Sequence, residues 1–384
     1  MSYVPHHYAL LHRTLRLSAF LLLLLTAPNV RAQPASDWSR LQNYASIIGI
    51  DSLCAQPDSV CLTRYFGEII YGRPPARLSY RGVPETIDSV RLTRLTRQFL
   101  AGADWCPLLD SLESPDPAYR GLREYCTRCL MDDYMGDSLT IEQIFATLNT
   151  YRWLNRFAGP QRIVINIPSA TLRLIDARGM TRLHSRVVVG APTTPTPGMT
   201  ALIPGLVLYP YWNVPRSITV RELLPKIRRN PVAVLNSLNM QVIDRSGRVV
   251  NPDRVNWSDR SFPYRLRQST GCDNALGLLK FEVNSPFAIY LHDTNARQVF
   301  GRDSRFLSHG CIRVEKPAAL ANLLLGYVRF KPDYLTTCPV NAQPRTLPLP
   351  HPVPVLITYN IIDVDEQGGI QVYKDVYGLW RGKR

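Results

Sequence analysis

The chain has 384 residues, more than one hydrophobic core usually organises, and 45% of them are hydrophobic, so two folded units, or one with an appended region, are expected and wholesale disorder is excluded. Its 45 Lys and Arg against 30 Asp and Glu give a formal charge of +15, which favours anionic partners. Nucleic acid is disfavoured as that partner, because no Lys/Arg-rich arm or aromatic stacking motif accompanies the charge. At the start of the chain, Arg13 and Arg16 precede an apolar run over 17–27, and Val30, Arg31 and Ala32 offer a cleavage site before Gln33. This pattern predicts an export signal over 1–32, with an uncleaved membrane anchor as the alternative. Removing it takes away three arginines and no acid, leaving +12 for wall polymers, lipid headgroups or acidic peptides to meet. Any membrane proximity is expected only through this segment.

From 33 to 160 the periodicity predicts a helical scaffold. Apolar residues recur at three and four positions through Leu62, Phe66, Ile69 and Ile70, and again through Ile87, Val90, Leu95 and Phe99. A last helix is expected to start at Thr140, which with Gln143 makes a capping-box pattern, and to bury Ile144, Phe145, Leu148 and Tyr151. From Arg162 the period changes to two, with Ile163, Ile165 and Ile167, then Leu172 and Leu174, then 186–189 as strands. A proline- and tryptophan-containing stretch at about 193–273 reads as an insert between strands, with a helical pattern at 220–227. Strands are expected again at 278–283, 288–291 and 353–359, and a helix at 317–327. The fold class expected is α+β: a β-rich unit over 161–362 carrying a capping insert, preceded by the helical scaffold and followed by an extension over 363–384.

Eight cysteines stand at 54, 61, 106, 126, 129, 272, 311 and 338. Outside the cytoplasm they are able to pair. Cys54 with Cys61, Cys106 with Cys126 or Cys129, and Cys272 with Cys338 are the candidate bridges. Cys126 and Cys129, a lone CxxC, read as a structural bridge or as buried thiols rather than as a metal or redox site.

The segments IYLHDT (289–294) and SHGCIRV (308–314) hold two histidines and a cysteine in a window sized for a strand, a loop and a strand. A thiol near its free pKa is little ionised at neutral pH, and an imidazole within hydrogen-bond reach supplies the missing base. His292 is the candidate base for Cys311, because strand pairing is able to bring them together. Gly310 permits a tight turn that aims backbone amides at an oxyanion. Two other readings stay open: a zinc site, which lacks a fourth ligand and the usual paired spacing, and a buried free cysteine beside a core histidine. No cofactor or metal is expected.

SHGC preceded by a histidine about twenty residues upstream resembles the signature of the L,D-transpeptidase, or YkuD, catalytic domain. The resemblance extends through RIVINIPSATLRLID (162–176), VVVGAP (187–192), PYWNVPRSI (210–218), LRQSTGCDNALGLLKF (266–281) and KDVYG (374–378), and TRYFGEIIYGRP (63–74) is similar to the helical scaffold of the family's larger subfamily. It implies that Cys311 is acylated by a donor tetrapeptide stem of peptidoglycan with release of D-alanine, and that an acceptor stem resolves the thioester. It further implies His292 as general base, Gly310 and Cys311 amides around the oxyanion, and Ser308 and His309 as residues that orient the loop. Arg313 is expected to hold a stem carboxylate, with an ordinary salt bridge as the alternative. Tyr290, Trp212 and Asn213 are expected to line the groove, and Asp293 to bind substrate, orient a histidine or cap the loop. Carbapenem-type inhibitors are expected to acylate the same thiol. A carboxypeptidase, a cross-link hydrolase, a transpeptidase that attaches a protein to the wall, and a non-catalytic wall-binding protein remain alternatives.

Overall fold

A computed structural model describes residues 34–132, 139–157, 159–338 and 342–380. The expected export signal lies outside them. Among the described residues no helix is long and apolar enough to cross a membrane.

Among the described residues, six helices come first: α1 (Pro34–Ile47), α2 (Ser59–Tyr71), α3 (Ser89–Leu100), α4 (Trp105–Leu112), α5 (Pro117–Asp132) and α6 (Ile141–Trp153), with the short strand β1 (Tyr80–Arg81) between α2 and α3. Their starts follow from side-chain caps. Asp58 accepts from the Cys61 amide at 2.7 Å, Asp88 from the Arg91 amide at 2.8 Å, and Gln143 reaches back to the Thr140 amide at 2.9 Å. α2 buries Leu62, Phe66, Ile69 and Ile70 as its spacing demands. α3 departs from expectation: Ile87 precedes the helix and Val90 lies on its outer face, both exposed, while Leu92 and Leu95 face the core.

The remaining strands are β2 (Gln161–Asn166), β3 (Thr171–Asp176), β4 (Thr181–Gly190), β5 (Met199–Leu208), β6 (Trp212–Asn213), β7 (Met240–Ile243), β8 (Val249–Val250), β9 (Arg265–Gln268), β10 (Leu279–Phe281), β11 (Leu291–His292), β12 (Phe306–Ser308), β13 (Ile312–Val314), β14 (Arg345–Thr358), β15 (Ile362–Val364) and β16 (Ile370–Val372). The main sheet runs β5-β10-β11-β13-β4-β3-β2-β14, and β14 pairs back onto β5, so the sheet closes on itself. Period-two alternation then divides its residues. Ile163, Ile165, Leu172, Leu174, Val355 and Ile357 fill the interior. Val164, Ile175 and Leu356 point outward and join the core of the scaffold helices. The fold is α+β, with helices packed on the outside of a closed sheet.

Two boundaries differ from the sequence expectation. β14 begins at Arg345, eight residues earlier than expected, and tolerates its prolines at 348, 350, 352 and 354 because its pairing with β5 shifts register between Pro348 and Val353. The stretch expected as an insert contributes β5 to the main sheet, its strand character hidden by Pro204 and Gly205. The part with its own core is narrower, built on Val214, Ile218, Leu224, Ile227, Val242, Phe262 and Leu266. It carries the four-stranded sheet β6-β9-β7-β8, a helical run through Arg216–Ile218, Thr219–Leu223 and Leu224–Ile227, and helix α7 (Pro231–Ser237). Helix α8 (Pro317–Leu325) follows β13 and ends on the left-handed Gly326.

Of the candidate bridges, Cys54–Cys61 and Cys272–Cys338 are formed, with Cα separations of 6.0 and 5.6 Å. Cys106 is an exposed thiol and Cys126 and Cys129 are buried ones, so neither expected pairing of Cys106 is made. Burial on α5 pushes the Cys126 thiol up to about 12.

Candidate active site

β11 and β13 run parallel, with Leu291 opposite Ile312 and His292 opposite Arg313. Leu291 and Ile312 point into the closed core, so the alternate residues Tyr290, His292, Cys311 and Arg313 share the other face. His292 is thus a diagonal neighbour of Cys311 on that face, one strand away. The next strand adds a residue that the sequence reading passed over. Lys280 of β10 is the register partner of His292, and its Nζ lies 4.7 Å over the Tyr290 ring.

Cys311 is an unbridged, partly exposed thiol whose Sγ is 3.6 Å from the Ala288 carbonyl oxygen. Burial pushes its pKa up, while hydrogen bonds from the Tyr290 amide and hydroxyl and the charges of Lys280 and Arg313 oppose that rise. His292 is buried, and desolvation, the Arg313 guanidinium and the Lys280 ammonium bring it down to about 3. Its Nδ1 lies 2.5 Å from the Asp293 backbone oxygen. A neutral ring must donate there, which leaves Nε2 as the lone pair able to accept a proton.

The loop before Cys311 is clamped at each polar atom. The Ser308 hydroxyl donates to the Cys311 carbonyl at 2.5 Å and accepts from the Gly310 amide at 3.1 Å. Gly310 has φ +113°, a conformation that a side chain would strain. Its carbonyl accepts from the buried Thr196 hydroxyl at 2.8 Å, and the Thr196 amide donates to the Tyr377 oxygen at 3.2 Å. The Tyr377 hydroxyl in turn donates to the Gly190 carbonyl at 2.7 Å. Thr196 and Tyr377 are therefore supports that the sequence reading did not single out, although KDVYG contains the second.

The insert touches this face twice. Burial pushes the Tyr290 pKa well up, and the nearby Trp212 side chain of the insert opposes that rise. His309, expected to orient the loop, is exposed, with its Nε2 2.6 Å from Glu222 Oε1 of the insert. Asn213 is exposed in β6.

Two expectations need correction, the first in part. The Asp293 carboxylate does not face the groove to bind substrate: alternation turns it to the opposite side from His292, where it accepts from the Leu278 amide at 2.9 Å and pairs with Arg297, while the residue's backbone oxygen orients the His292 ring. Gly277 lacks a Cβ where one would stand 2.3 Å from that carboxylate, so the fit is local and structural. The Gly310 amide, expected at an oxyanion, is engaged by Ser308. Arg313, by contrast, makes no salt bridge among the described residues.

Residues 160–353, half of the chain, match the family model of the L,D-transpeptidase catalytic domain, YkuD. The chain belongs to the YkuD family. A Haemophilus influenzae protein provisionally named an L,D-transpeptidase is 38% identical over 221 residues, which is 57% of this chain and 44% of that protein. The chain thus spans less than half the length of this curated relative. Among solved structures, an L,D-transpeptidase from Mycobacterium smegmatis aligns over 52% of this chain and 58% of its own at 14% identity and TM-score 0.24. L,D-transpeptidase 3 from Mycobacterium tuberculosis, solved with a faropenem-derived adduct, aligns over 52% and 60% at 13% identity and TM-score 0.27. Within the YkuD unit of this chain, the SHGC segment is the clamped loop and the upstream histidine is the buried, neutral one.

Proposed function

We propose that this chain is an exported cell-envelope enzyme, of the periplasm or wall, that links peptidoglycan stem peptides third residue to third residue through a thioester on Cys311. The observation that carries the reading is the neutral, oriented His292 on the same strand face as an unbridged, partly exposed Cys311. His292 Nε2 takes the thiol proton as Sγ bonds to the carbonyl carbon of the third stem residue. The carbon–nitrogen bond to the terminal D-alanine then breaks, and the imidazolium returns the proton to the leaving amine. An acceptor amine attacks the thioester, its proton passes through His292 to the departing sulfur, and the cross-link is complete.

Tyr290 steadies the thiolate through its hydroxyl, and Trp212 lies beside Tyr290 on the insert side. With the Gly310 amide held by Ser308, the Cys311 amide and the Tyr290 hydroxyl serve the oxyanion, while Ser308, Gly310 and His309 shape the loop. Arg313 binds the terminal carboxylate of the donor with its planar fork. Carbapenem-type β-lactams would acylate the same sulfur.

Incubating the protein with tetrapeptide-bearing muropeptides is expected to give third-to-third dimers and free D-alanine by mass spectrometry, with neither product from Cys311→Ala. Tripeptide monomers alone would make the protein a carboxypeptidase. Transfer to a protein amine would make it an attachment enzyme, and an unchanged substrate pool would leave only a wall-binding role.

A further inference from the structure

Helix α3 has one face in the scaffold core and one in water. Leu92 and Leu95 point inward, and the helix packs on α2 and α4, whereas α5 and α6 are the helices that meet β15. α3 therefore belongs to the outer layer of the scaffold. Its free face carries Val90, Arg94, Arg97 and Leu100, spaced by four, three and three so that they form one stripe, and all four are exposed. Leu100 and Arg97 line a groove of about 420 Å³ whose other wall includes Val60 and Arg64 of α2. Three aliphatic side chains stand in water here, Val60, Val90 and Leu100 being 68%, 78% and 54% exposed.

The arginines of this face have no acid to meet. α3 contains no Asp or Glu. On α2, Glu68 lies one turn after Arg64 but is taken by Arg73 at 2.8 Å. Asp58 and Asp88, which precede the two helices, accept backbone amides at 2.7 and 2.8 Å instead. Among the described residues Arg64, Arg94 and Arg97 make no salt bridge, although Arg40, Arg73, Arg123 and Arg156 of the same scaffold each hold a carboxylate. A face that only kept the protein soluble would not need exposed aliphatic side chains between its charges. The combination matches the boundary of a lipid bilayer, where phosphates meet the cations and the acyl region takes the aliphatic tips.

We propose that this face of α2 and α3 docks the protein on an anionic phospholipid surface, with Arg64, Arg94 and Arg97 on headgroup phosphates and Val60, Val90 and Leu100 at the boundary with the acyl chains. A planar guanidinium engages two oxygens of one phosphate at once, which suits the choice of arginine at all three positions. A hydrated acidic polymer would satisfy the charges and leave the aliphatic side chains in water. Membrane contact is then made by the folded scaffold itself, in addition to any made by the segment over 1–32, and it is independent of the chemistry at Cys311.

The test uses the chain over 33–384, which holds every described residue and lacks the apolar run over 17–27 that would bind lipid by itself. It is floated with vesicles of phosphatidylglycerol and phosphatidylethanolamine, and separately with vesicles of phosphatidylcholine, with thermal unfolding as a check on each variant. Binding is expected to the anionic vesicles alone and to weaken as salt rises. An arginine near an anionic surface accounts for about fivefold in partitioning, so Arg64→Gln, Arg94→Gln and Arg97→Gln together should lower it by on the order of 100-fold. Val90→Ser with Leu100→Ser keeps the charge and should lower it by about fivefold or more. Arg245→Gln, Arg254→Gln and Arg260→Gln together remove the same charge from exposed positions of the insert and should change it by less than about threefold. Equal losses from the two arginine triplets, or no loss from the Val90 and Leu100 substitutions, would reduce the binding to bulk charge and overturn the proposal. So would a protein that ignores the anionic vesicles, and capture by purified wall polymer or by an acidic protein through the same arginines would then identify the partner as that one instead.

Discussion

Burial acts in opposite directions on the two groups at the centre of the site: it raises the Cys311 thiol and, with Arg313 and Lys280, lowers His292 to about 3. Both groups therefore rest uncharged at neutral pH. The narrow bell that a bare Cys/His pair suggests widens to a plateau, and kcat/KM for a tetrapeptide donor is expected to vary by less than about twofold from pH 5 to 8. A break near the ordinary imidazole value of about 6.5 would contradict the buried ring. A donor carboxylate that arrives on Arg313 would cancel one of the charges that weaken His292, so the acid limb of kcat should lie at higher pH than that of kcat/KM. Cys311 and His292 were legible in the sequence because SHGC and its upstream histidine fall within one short window. Lys280 was not, since only strand register shows that β10 lies beside β11. The substrate-binding role expected of Asp293 was misplaced although a signal was present, since in a strand the neighbour of a site residue faces the other way; its contact with the histidine is made by the backbone.

At the scale of elements, the insert meets the site with Trp212 near Tyr290 and with Glu222 bound to His309. The second contact joins half-exposed side chains, so its strength is modest and its removal should loosen the insert without unfolding it. In a Cys106→Ser background, which removes the other accessible thiol, Glu222→Gln is expected to label at Cys311 several-fold faster with a maleimide. An unchanged rate would show that the insert does not limit access. The helices α2 and α6 were legible from their spacing and caps. The start of β14 and the identity of β5 were not, because prolines spaced by two, and a Pro204-Gly205 interruption, read as loop until the pairing partner is known.

At the scale of the whole molecule, helices and closed sheet are joined through a buried polar cluster. Tyr151 donates to Asp363, Asn166 Nδ2 donates to the other oxygen of Asp363 at 3.1 Å, and Arg173 pairs with Asp116 at 3.4 Å. Thr147 and Thr150 of α6 donate to the Ile362 carbonyl and to Asn360. Asp363→Ala leaves buried donors without acceptors and is expected to cost about 2 kcal/mol or more. Calorimetry should show one transition moved to lower temperature. Two transitions with only one displaced would mean that scaffold and sheet unfold independently. None of this cluster was visible in the sequence, where Asp363 lies about 200 residues from Tyr151 and Asn166.

β14 is the strand that turns an open sheet into a ring, since it bonds to β2 on one edge and β5 on the other. The candidate nucleophile is made before it, at position 311, and the tyrosine that braces its loop comes later still, at 377. A growing chain thus carries the Cys311 sulfur for more than thirty residues before the seam that shapes its surroundings exists. Those surroundings are conferred by segments made after the thiol, so chains halted before β14 hold the sulfur without the ring that frames it.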